Sequence, residues 1–344
     1  DALLFNELRG RGIVVPPKVN NTKERKIEGA FVKDPQNGMH DWVMSFDLNS
    51  LYPHIIMQYN MSPETVINER YSGVNVDSLL DEVDIEVPKD YCMSATGQYF
   101  DKTKKGIVPE IIEGLYAERS ALKREMLDAE QRSQQDKSYE TEKEIVTLNN
   151  QQMAIKILMN SLYGALSNEY FRYYDIRVAE SITVSGQLTI LWAQKTINQY
   201  LNKLLKTEED YVIAIDTDSL YIRVGQLVNK ALKDNVTIDK AVKFLDKVAT
   251  EKFEPLLDKA YVRLCDYMNG YEQKMVMKRE VIADKGIWTG KKHYALNVHN
   301  SEGVQYAKPK LKVMGIEVVR SSTPMPCRTM LKESINVIMN YDEE

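Results

Sequence analysis

The sequence has few cysteines, with only Cys92, Cys265 and Cys327 in 344 residues. Their odd number and wide spacing exclude a cysteine-bound zinc site and predict reduced thiols in a cytosolic setting. The chain also lacks a recognisable signal peptide and any apolar run long enough to span a membrane, so no membrane partner is expected. No internal repeat or low-complexity tract is visible.

The residues that are present have the composition of a globular protein, with 43% apolar and 28% charged residues. A chain of this length has room for two or three modules with cores of their own. The net charge of −5 argues against a protein that coats nucleic acid along its whole surface. The segment from Lys274 to Lys312 nevertheless carries nine Lys or Arg residues against three acidic ones. This local excess predicts either one face made for a polyanion or a solvated lysine-rich surface.

Residues 211–224, YVIAIDTDSLYIRV, hold an acidic turn between two apolar runs. The β-branched residues in both runs predict a β-hairpin with Asp216 and Asp218 at its tip. Side chains two apart on extended backbone point to the same side, so the two carboxylates would share one spot and need a cation. Oxygen ligands from few residues suit Mg²⁺ better than zinc. On the hairpin alone, a solvated turn and a metal site both stay open.

The stretch WVMSFDLNSLYPHIIMQY predicts a strand, a turn and a helix. The buried strand would end at Asp47, and Pro53 is well placed to begin the helix. Backbone N–H groups of Ser50, Leu51 and Tyr52 would then lie at a helix N-terminus, which favours a phosphate. The alternative interpretation is that Tyr52 simply belongs to the core.

Two amphipathic patterns predict a helical hairpin, with helices over about 107–131 and 147–162 and a polar connector over 132–143. Arg119 and Lys123 are four residues apart and share a face of the first helix. The second helix carries a polar stripe of Lys156, Asn160 and Tyr163. Two such helices would hold a triphosphate, because guanidinium and ammonium groups pair with phosphate oxygens. The alternative for Lys156 is an ammonium group that reaches solvent.

The rest of the chain is predicted to form structural elements that support the candidate site. The expected elements are a helical start, irregular strands and loops over 63–101, a helix over 179–201 and a further helical layer over 236–265.

Four motifs, in this order along the chain, resemble those of the B-family DNA polymerases. SFDLNSLYPHII, KILMNSLYGALSN and IDTDSLYI resemble the three polymerase motifs, and WTGKKHYAL resembles the basic DNA-contact motif of that family. Neighbouring sequence, including FRYYDIR and YAKPKLKVMG, is most similar to replicative members from T-even-like tailed phages. The resemblance covers about 29–324 and implies an α+β fold. In that fold an antiparallel palm sheet backed by helices carries a two-helix fingers insertion.

The resemblance also implies a division of the chain. The expected segments are an N-terminal connector (1–28), a first part of the palm (29–105), the fingers (106–168), a second part of the palm (169–315) and the start of a thumb (316–344). The exonuclease domain and most of the thumb are expected to be absent, and the first residue is Asp1 rather than Met. We therefore hypothesise one piece of a split or truncated replicative polymerase. A second chain or missing segments would supply the exonuclease and thumb. A sliding clamp is a further candidate partner, and the host cytoplasm is the expected location of a phage protein.

The activity implied by the resemblance is template-directed addition of deoxynucleotides to a primer 3′ end by two-metal phosphoryl transfer. Asp47 and Asp218 resemble the carboxylates that bridge two Mg²⁺ ions, with the Leu48 carbonyl as a further metal ligand. Asp216 is the neighbouring acid and is predicted to act in catalysis and metal binding with them. Primer-template DNA and deoxynucleoside triphosphates are the implied partners.

The remaining site residues are also carried over from the resemblance. The residues implied to bind the nucleotide are Ser50, Leu51, Tyr52, Arg119, Lys123, Lys156, Asn160 and Tyr163. The ring of Tyr52 would lie under the deoxyribose and clash with a ribose 2′-hydroxyl. The residues implied to contact DNA are Gly164, Lys291, Lys292 and Tyr294. Most of these contacts are independent of base sequence, because pairing with the template selects the base.

Three positions depart from the pattern of the family and motivate an alternative function. Ala214 and Ile215 stand before the acidic turn where the family usually has Gly, often after Tyr, and Lys278 stands where T-even relatives have an acid. A bulkier wall at the turn and an inverted charge would both affect catalysis. The alternative is a DNA-binding or assembly subunit that kept the polymerase fold and lost most catalysis.

Overall fold

The computed structural model describes residues 1–18, 26–135, 138–232 and 237–340. In these ranges the α-helices are, in chain order, α1 (Ala2–Gly10), α2 (Leu51–Gln58), α3 (Val76–Leu80), α4 (Ile107–Gln135), α5 (Tyr139–Leu166), α6 (Ile176–Leu205), α7 (Gly225–Leu232), α8 (Ile238–Val248), α9 (Glu254–Tyr267) and α10 (Met325–Asn340). The strands are β1 (Gly38–Leu48), β2 (Val66–Arg70), β3 (Tyr91–Met93), β4 (Gln98–Asp101), β5 (Val212–Asp216), β6 (Ser219–Arg223), β7 (Met277–Gly290), β8 (His293–Ser301) and β9 (Val304–Met314). A π-helical turn (Ala249–Phe253) joins α8 to α9, and a 3₁₀ helix (Glu317–Val319) precedes α10.

The chain divides into two compact units. The first unit comprises Asp1–Gly29, Ser50–Ser185 and Cys265–Lys274, and the second comprises Ala30–Asn49, Gly186–Leu264 and Met275–Glu344. Each unit is built from segments that are distant in sequence. None of the described helices is long and apolar enough to cross a membrane.

The second unit is organised on a six-stranded sheet in the order β5-β6-β1-β7-β8-β9. Every neighbouring pair of strands is antiparallel. One face of the sheet carries an aromatic and aliphatic cluster that includes Val43, Tyr221, Trp288, Tyr294 and Leu296. The sequence-based prediction of an antiparallel sheet is confirmed.

The helical layer of the second unit packs on the sheet through buried aromatic side chains. The ring of Phe46 in β1 lies 5.8 Å from that of Phe253 in the π-helical turn. The indole N–H of Trp192 in α6 donates to the Ala260 carbonyl of α9 at 3.0 Å, so the helices are also tied to one another. The predicted helix over 179–201 is confirmed and extends at both ends. The predicted layer over 236–265 is α8, the π-helical turn and α9, and Val236 lies outside the described residues.

The first unit contains the predicted helical hairpin, formed by α4 and α5. Pairing of Arg132 with Glu144 at 2.9 Å and of Arg119 with Gln152 at 3.3 Å shows that the helices run antiparallel. The predicted polar connector over 132–143 is wrong for the residues described there, because α4 continues to Gln135 and α5 begins at Tyr139. That stretch has no Gly or Pro, and Ser138 caps α5 by accepting from the Thr141 N–H. Residues 136–137 lie outside the described residues.

A three-stranded sheet in the order β2-β4-β3 completes the first unit. The prediction of strands and loops over 63–101 is confirmed, with the short helix α3 as an addition. A capping box explains this helix, because Asn75 Oδ1 accepts from the Ser78 N–H at 2.8 Å and Ser78 Oγ accepts from the Asn75 N–H at 3.0 Å.

Packing at the centre of β7 gives a test of the sheet core. A Cβ atom at Gly286 would lie 2.7 Å from a methyl carbon of Leu296 and 2.8 Å from the ring of Trp288, both buried. We expect Gly286→Ala to lower the free energy of unfolding by about 1–3 kcal/mol, because overpacking a dense core forces side chains out of their rotamers. The matched control is Gly290→Ala in the same strand, where no atom lies within 4 Å. Equal losses for the two variants in urea denaturation would contradict the packing described.

Candidate active site

Two acids that are far apart in sequence meet at one end of the six-stranded sheet. Pairing of β1 with β6 places Asp47 opposite Ser219, the residue after Asp218. Ser219 Oγ donates to Asp47 Oδ1 at 2.7 Å, and the Leu48 N–H donates to the Asp218 carbonyl at 2.9 Å. The strand register therefore fixes the Asp47 and Asp218 backbones side by side. Sequence reasoning did not single out Ser219, although it directly follows the acidic turn.

The predicted β-hairpin is confirmed, but its tip is not extended. Thr217 has a φ of +62°, and the Asp218 N–H donates to the Asp216 carbonyl at 2.7 Å. The alternation of side chains, on which the sequence argument for a shared spot rested, therefore stops at Asp216. In the structure Lys292 donates to the carboxylate of Asp216.

The protonation of Asp218 is set by its surroundings. Burial, followed by the negative charge of Asp47, raises the pKa of Asp218 to about 6, with smaller contributions from Asp216 and Glu280. Partly buried carboxylates that lie close together disfavour the ionised form unless a cation compensates. A divalent ion bound here would remove that penalty.

Glu280 is a further acid near this end of the sheet that sequence reasoning missed. It is the extra residue of a β-bulge, because Ser45 pairs with Val281 while Phe46 pairs with Arg279. Ser45 Oγ donates to Glu280 at 3.2 Å, and Lys312 donates to it at 2.8 Å. Bulges re-aim side chains, and no local sequence signal marks this one.

Carboxylates at this site suit Mg²⁺ in number and kind. Over the described ranges, no three His, Cys, Asp or Glu side chains gather into a metal-binding cluster. Magnesium needs fewer, since it is usually held by one or two carboxylates and completes its octahedron with water and phosphate oxygens. Asp47 and Asp218 provide such a pair.

The basic segment is not the open basic face that its composition allowed. At least six of its nine cationic side chains are paired with acids, namely Lys274 with Glu113, Lys278 with Glu254, Arg279 with Asp246, Lys291 with Asp34, Lys292 with Asp216 and Lys312 with Glu280. All of these acids except Glu280 lie outside the segment. A count of charges within the segment therefore overstates the field that it presents.

Three of the predicted DNA-contact residues lie in or beside the turn between β7 and β8. Lys291 and Lys292 are the residues of that turn, and each pairs with an acid. Tyr294 is only 5% exposed, and its hydroxyl lies 2.6 Å from that of Tyr221 in the aromatic cluster. Tyr294 therefore supports the turn from within the core.

The predicted nucleotide-binding residues lie in the first unit. Helix α2 begins at Leu51 rather than at Pro53, because Ser50 takes the N-cap position with a φ of +45°. Ser50, Leu51 and Tyr52 are thus at the helix N-terminus, as predicted, where the first N–H groups have no partner within the helix. The ring of Tyr52 lies 4.5 Å from that of Tyr163.

The helical hairpin of the first unit carries the predicted cationic residues. Arg119 donates to Gln152 at 3.3 Å, while Lys123, Lys156 and Asn160 are exposed. Gly164 is also exposed and lies one residue after Tyr163 near the end of α5.

His54, in the first turn of α2, is a further residue that sequence reasoning missed. Its Nδ1 lies 3.0 Å from the Ser50 carbonyl, and its ring lies 4.7 Å from that of Tyr116 in α4. Burial, and to a lesser extent the charge of Lys274, lower the pKa of His54. A neutral imidazole thus braces the N-terminus of α2.

The whole chain, residues 1–344, matches the family model of DNA polymerase family B, and the chain therefore belongs to that family. It is 36% identical over 398 residues to the DNA-directed DNA polymerase of Enterobacteria phage T4, covering 100% of this chain and 44% of that protein. The corresponding enzyme of Escherichia phage RB69 is 37% identical over 397 residues, covering 100% and 43%. DNA polymerase 1 of Pyrococcus abyssi is 29% identical over 322 residues, covering 92% and 33%. The predicted similarity to T-even-like phage members is confirmed. The chain spans less than half the length of these relatives.

The pKa of Asp218 gives a test of the acid pair without any substrate. Because the folded-state pKa is raised, Asp218 favours folding at low pH, and this contribution is lost as the pH rises through about 6. In chelator-treated buffer we expect Asp218→Asn to raise the free energy of unfolding at pH 8 by about 1–3 kcal/mol. The gain over the wild type should disappear near pH 4.

Asp216→Asn is the matched control for this measurement, because Asp216 already pairs with Lys292 and its neutralisation should give no gain. Thermal or urea unfolding at several pH values measures both variants. A gain for Asp218→Asn that is absent at pH 8, or unchanged at pH 4, would contradict the raised pKa of Asp218.

Proposed function

We propose that this chain is the catalytic core of a template-directed DNA polymerase that adds deoxynucleotides to a primer 3′ end by phosphoryl transfer assisted by two Mg²⁺ ions. The observation that carries the proposal is the meeting of Asp47 and Asp218, with the pKa of Asp218 raised by burial and by Asp47. Membership of DNA polymerase family B, and the activity named for the phage relatives, support the choice of reaction.

The metal ligands in this proposal are Asp47, Asp218 and the Leu48 carbonyl, with Asp216 beside them. Bound Mg²⁺ would supply activation of the primer 3′-hydroxyl and neutralisation of the triphosphate charge. The protein holds the two carboxylates in place through Ser219 and through the strand register. It also pairs the Asp216 carboxylate with the ammonium group of Lys292.

The proposed nucleotide contacts come from the helical hairpin and the N-terminus of α2. Arg119, Lys123, Lys156 and Asn160 bind the triphosphate, since cationic and amide groups pair with its oxygens. Backbone N–H groups of Ser50, Leu51 and Tyr52 add to this at the helix N-terminus. The ring of Tyr52, supported by Tyr163, excludes a ribose 2′-hydroxyl.

Primer-template DNA is held by Gly164, Lys291 and Lys292 in the same proposal, with Tyr294 supporting the turn that carries the two lysines. Lys292 leaves Asp216 to reach a phosphate or base edge, while Tyr294 acts from the core by fixing the turn. These contacts fix the position of the DNA and do not select its base sequence.

The proposed subdomains follow the resemblance. The palm comprises 29–105 and 169–315, the fingers comprise 106–168 and contain α4 and α5, and 1–28 and 316–344 are the connector and the start of a thumb. A sliding clamp is the candidate partner for processivity.

Primer extension with single-residue variants tests the catalytic assignment. We expect Asp47→Asn and Asp218→Asn each to lower deoxynucleotide incorporation by at least about a hundredfold, because a lost bridging ligand removes several kcal/mol of transition-state stabilisation. The matched control is Asp41→Asn, an exposed acid of the same strand, which should retain activity.

A loss of less than about tenfold in both variants would contradict the assignment. A wild-type chain that binds primer-template without extending it would instead support the alternative, a DNA-binding or assembly subunit. The cations close to the acids, Lys292 on Asp216 and Lys278 opposite Asp47, are the observations that favour that alternative.

Sugar selection tests the role of Tyr52 separately. We expect Tyr52→Ala to raise the ratio of ribonucleotide to deoxynucleotide incorporation by at least about tenfold, because the ring no longer clashes with the 2′-hydroxyl. Tyr52→Phe keeps the ring beside Tyr163 and should leave the ratio nearly unchanged. An unaltered ratio in Tyr52→Ala would remove the steric role while leaving the catalytic proposal intact.

A further inference from the structure

The backbone of one lysine is paired directly with that of one of the two acids. In the β1–β7 pair, Asp47 is opposite Lys278. Directly opposed residues of antiparallel strands project from the same face, with Cβ atoms roughly 4.5–5.5 Å apart. An ammonium group on a four-carbon chain can reach a carboxylate over that distance. Lys278 is therefore a cation that can compete for the Asp47 carboxylate.

The ammonium group of Lys278 is bound elsewhere. Its Nζ donates to Glu254 Oε2 at 2.7 Å, and the other oxygen of Glu254 accepts from the Arg279 N–H at 3.2 Å. The hydrogen bond to Glu254 raises the pKa of Lys278, and the charges of Glu254 and Asp258 add to it. The Glu254 side chain is 14% exposed, while that of Lys278 is 53% exposed. The carboxylate is therefore held in place by its surroundings, and the lysine side chain reaches it from solvent.

The position of Glu254 is set by the π-helical turn (Ala249–Phe253). Glu254 directly follows the turn, and Phe253 at its end is buried against Phe46, the residue before Asp47. Asp246 lies shortly before the turn and pairs with Arg279 at 2.6 Å. One irregular turn thus places two acids against the consecutive cations Lys278 and Arg279. Such insertions in helices are frequent at functional sites.

We propose that Glu254 is a positioning residue that holds the Lys278 ammonium away from the Asp47 and Asp218 carboxylates, so that a divalent cation can bind there. The inference rests on the proposed function, since it assumes a cation site at these acids. A lysine and a metal ion are attracted by the same negative charge, and occupation by one weakens binding of the other. Loss of the Glu254 charge leaves the ammonium group free to turn to Asp47.

Binding of Mn²⁺ to the DNA-free and nucleotide-free protein tests the inference, with the free ion followed by electron paramagnetic resonance. We expect Glu254→Gln to raise the Mn²⁺ dissociation constant by about three- to tenfold, since a nearby charge on a partly exposed site is worth roughly 1 kcal/mol. Glutamine keeps an oxygen that can accept from the Arg279 N–H. Adding Lys278→Met to Glu254→Gln should restore wild-type affinity, because the competing ammonium group is then gone.

The matched control is Glu251→Gln within the same π-helical turn. Glu251 is exposed and pairs with Lys247 at 3.9 Å, so this variant removes an equal charge with no link to Asp47. Its Mn²⁺ affinity should stay within about twofold of the wild type. Lys278→Met alone should bind Mn²⁺ at least as tightly as the wild type, which keeps the test decisive if Glu254→Gln does not fold.

The outcomes separate this inference from the proposed function. A wild-type chain that binds no Mn²⁺, or that binds it equally well as Asp218→Asn, would contradict the cation site itself. Binding that requires Asp218 but is unchanged in Glu254→Gln would overturn the positioning role alone. So would a double variant that stays weak, or a Lys278→Met variant that binds more weakly than the wild type.

Discussion

The burial of Asp218 beside the negative charge of Asp47 is the constraint on which the rest of the candidate site depends. Strand register places the two acids together, and burial with the charge of Asp47 raises the pKa of Asp218 to about 6. A protein that only needed to fold would not hold two carboxylates in this way, since one of them is destabilised at neutral pH. A divalent cation bound between the two carboxylates would remove this cost.

Charge around the acids is balanced by specific pairs and not by a general basic surface. Lys292 is paired with Asp216, Lys312 with Glu280, and Lys278 with Glu254. In the proposed metal site these pairs would decide which carboxylates are available to a cation, because each of the three lysines has a defined partner.

Sequence patterns predicted the elements that depend on local periodicity. They failed where contacts between distant residues, or unusual backbone angles, determine the conformation. Two apolar runs rich in β-branched residues predicted β5 and β6, and apolar periodicity predicted α4 and α5. The start of α5 was missed because helix-forming residues and the Ser138 cap outweigh the polarity of the connector. The tip of the hairpin was misjudged because Thr217 adopts a left-handed conformation. Glu254 had no local signal, since its relation to Asp47 exists only through the pairing of β1 with β7.

The most direct test of the central claim is an anomalous difference map from a crystal of the chain soaked in Mn²⁺. The account predicts a peak between the side chains of Asp47 and Asp218, within ordinary metal–oxygen distance of both carboxylates. An ordered pair of carboxylates with no peak between them, or with the ion bound only elsewhere, would contradict it.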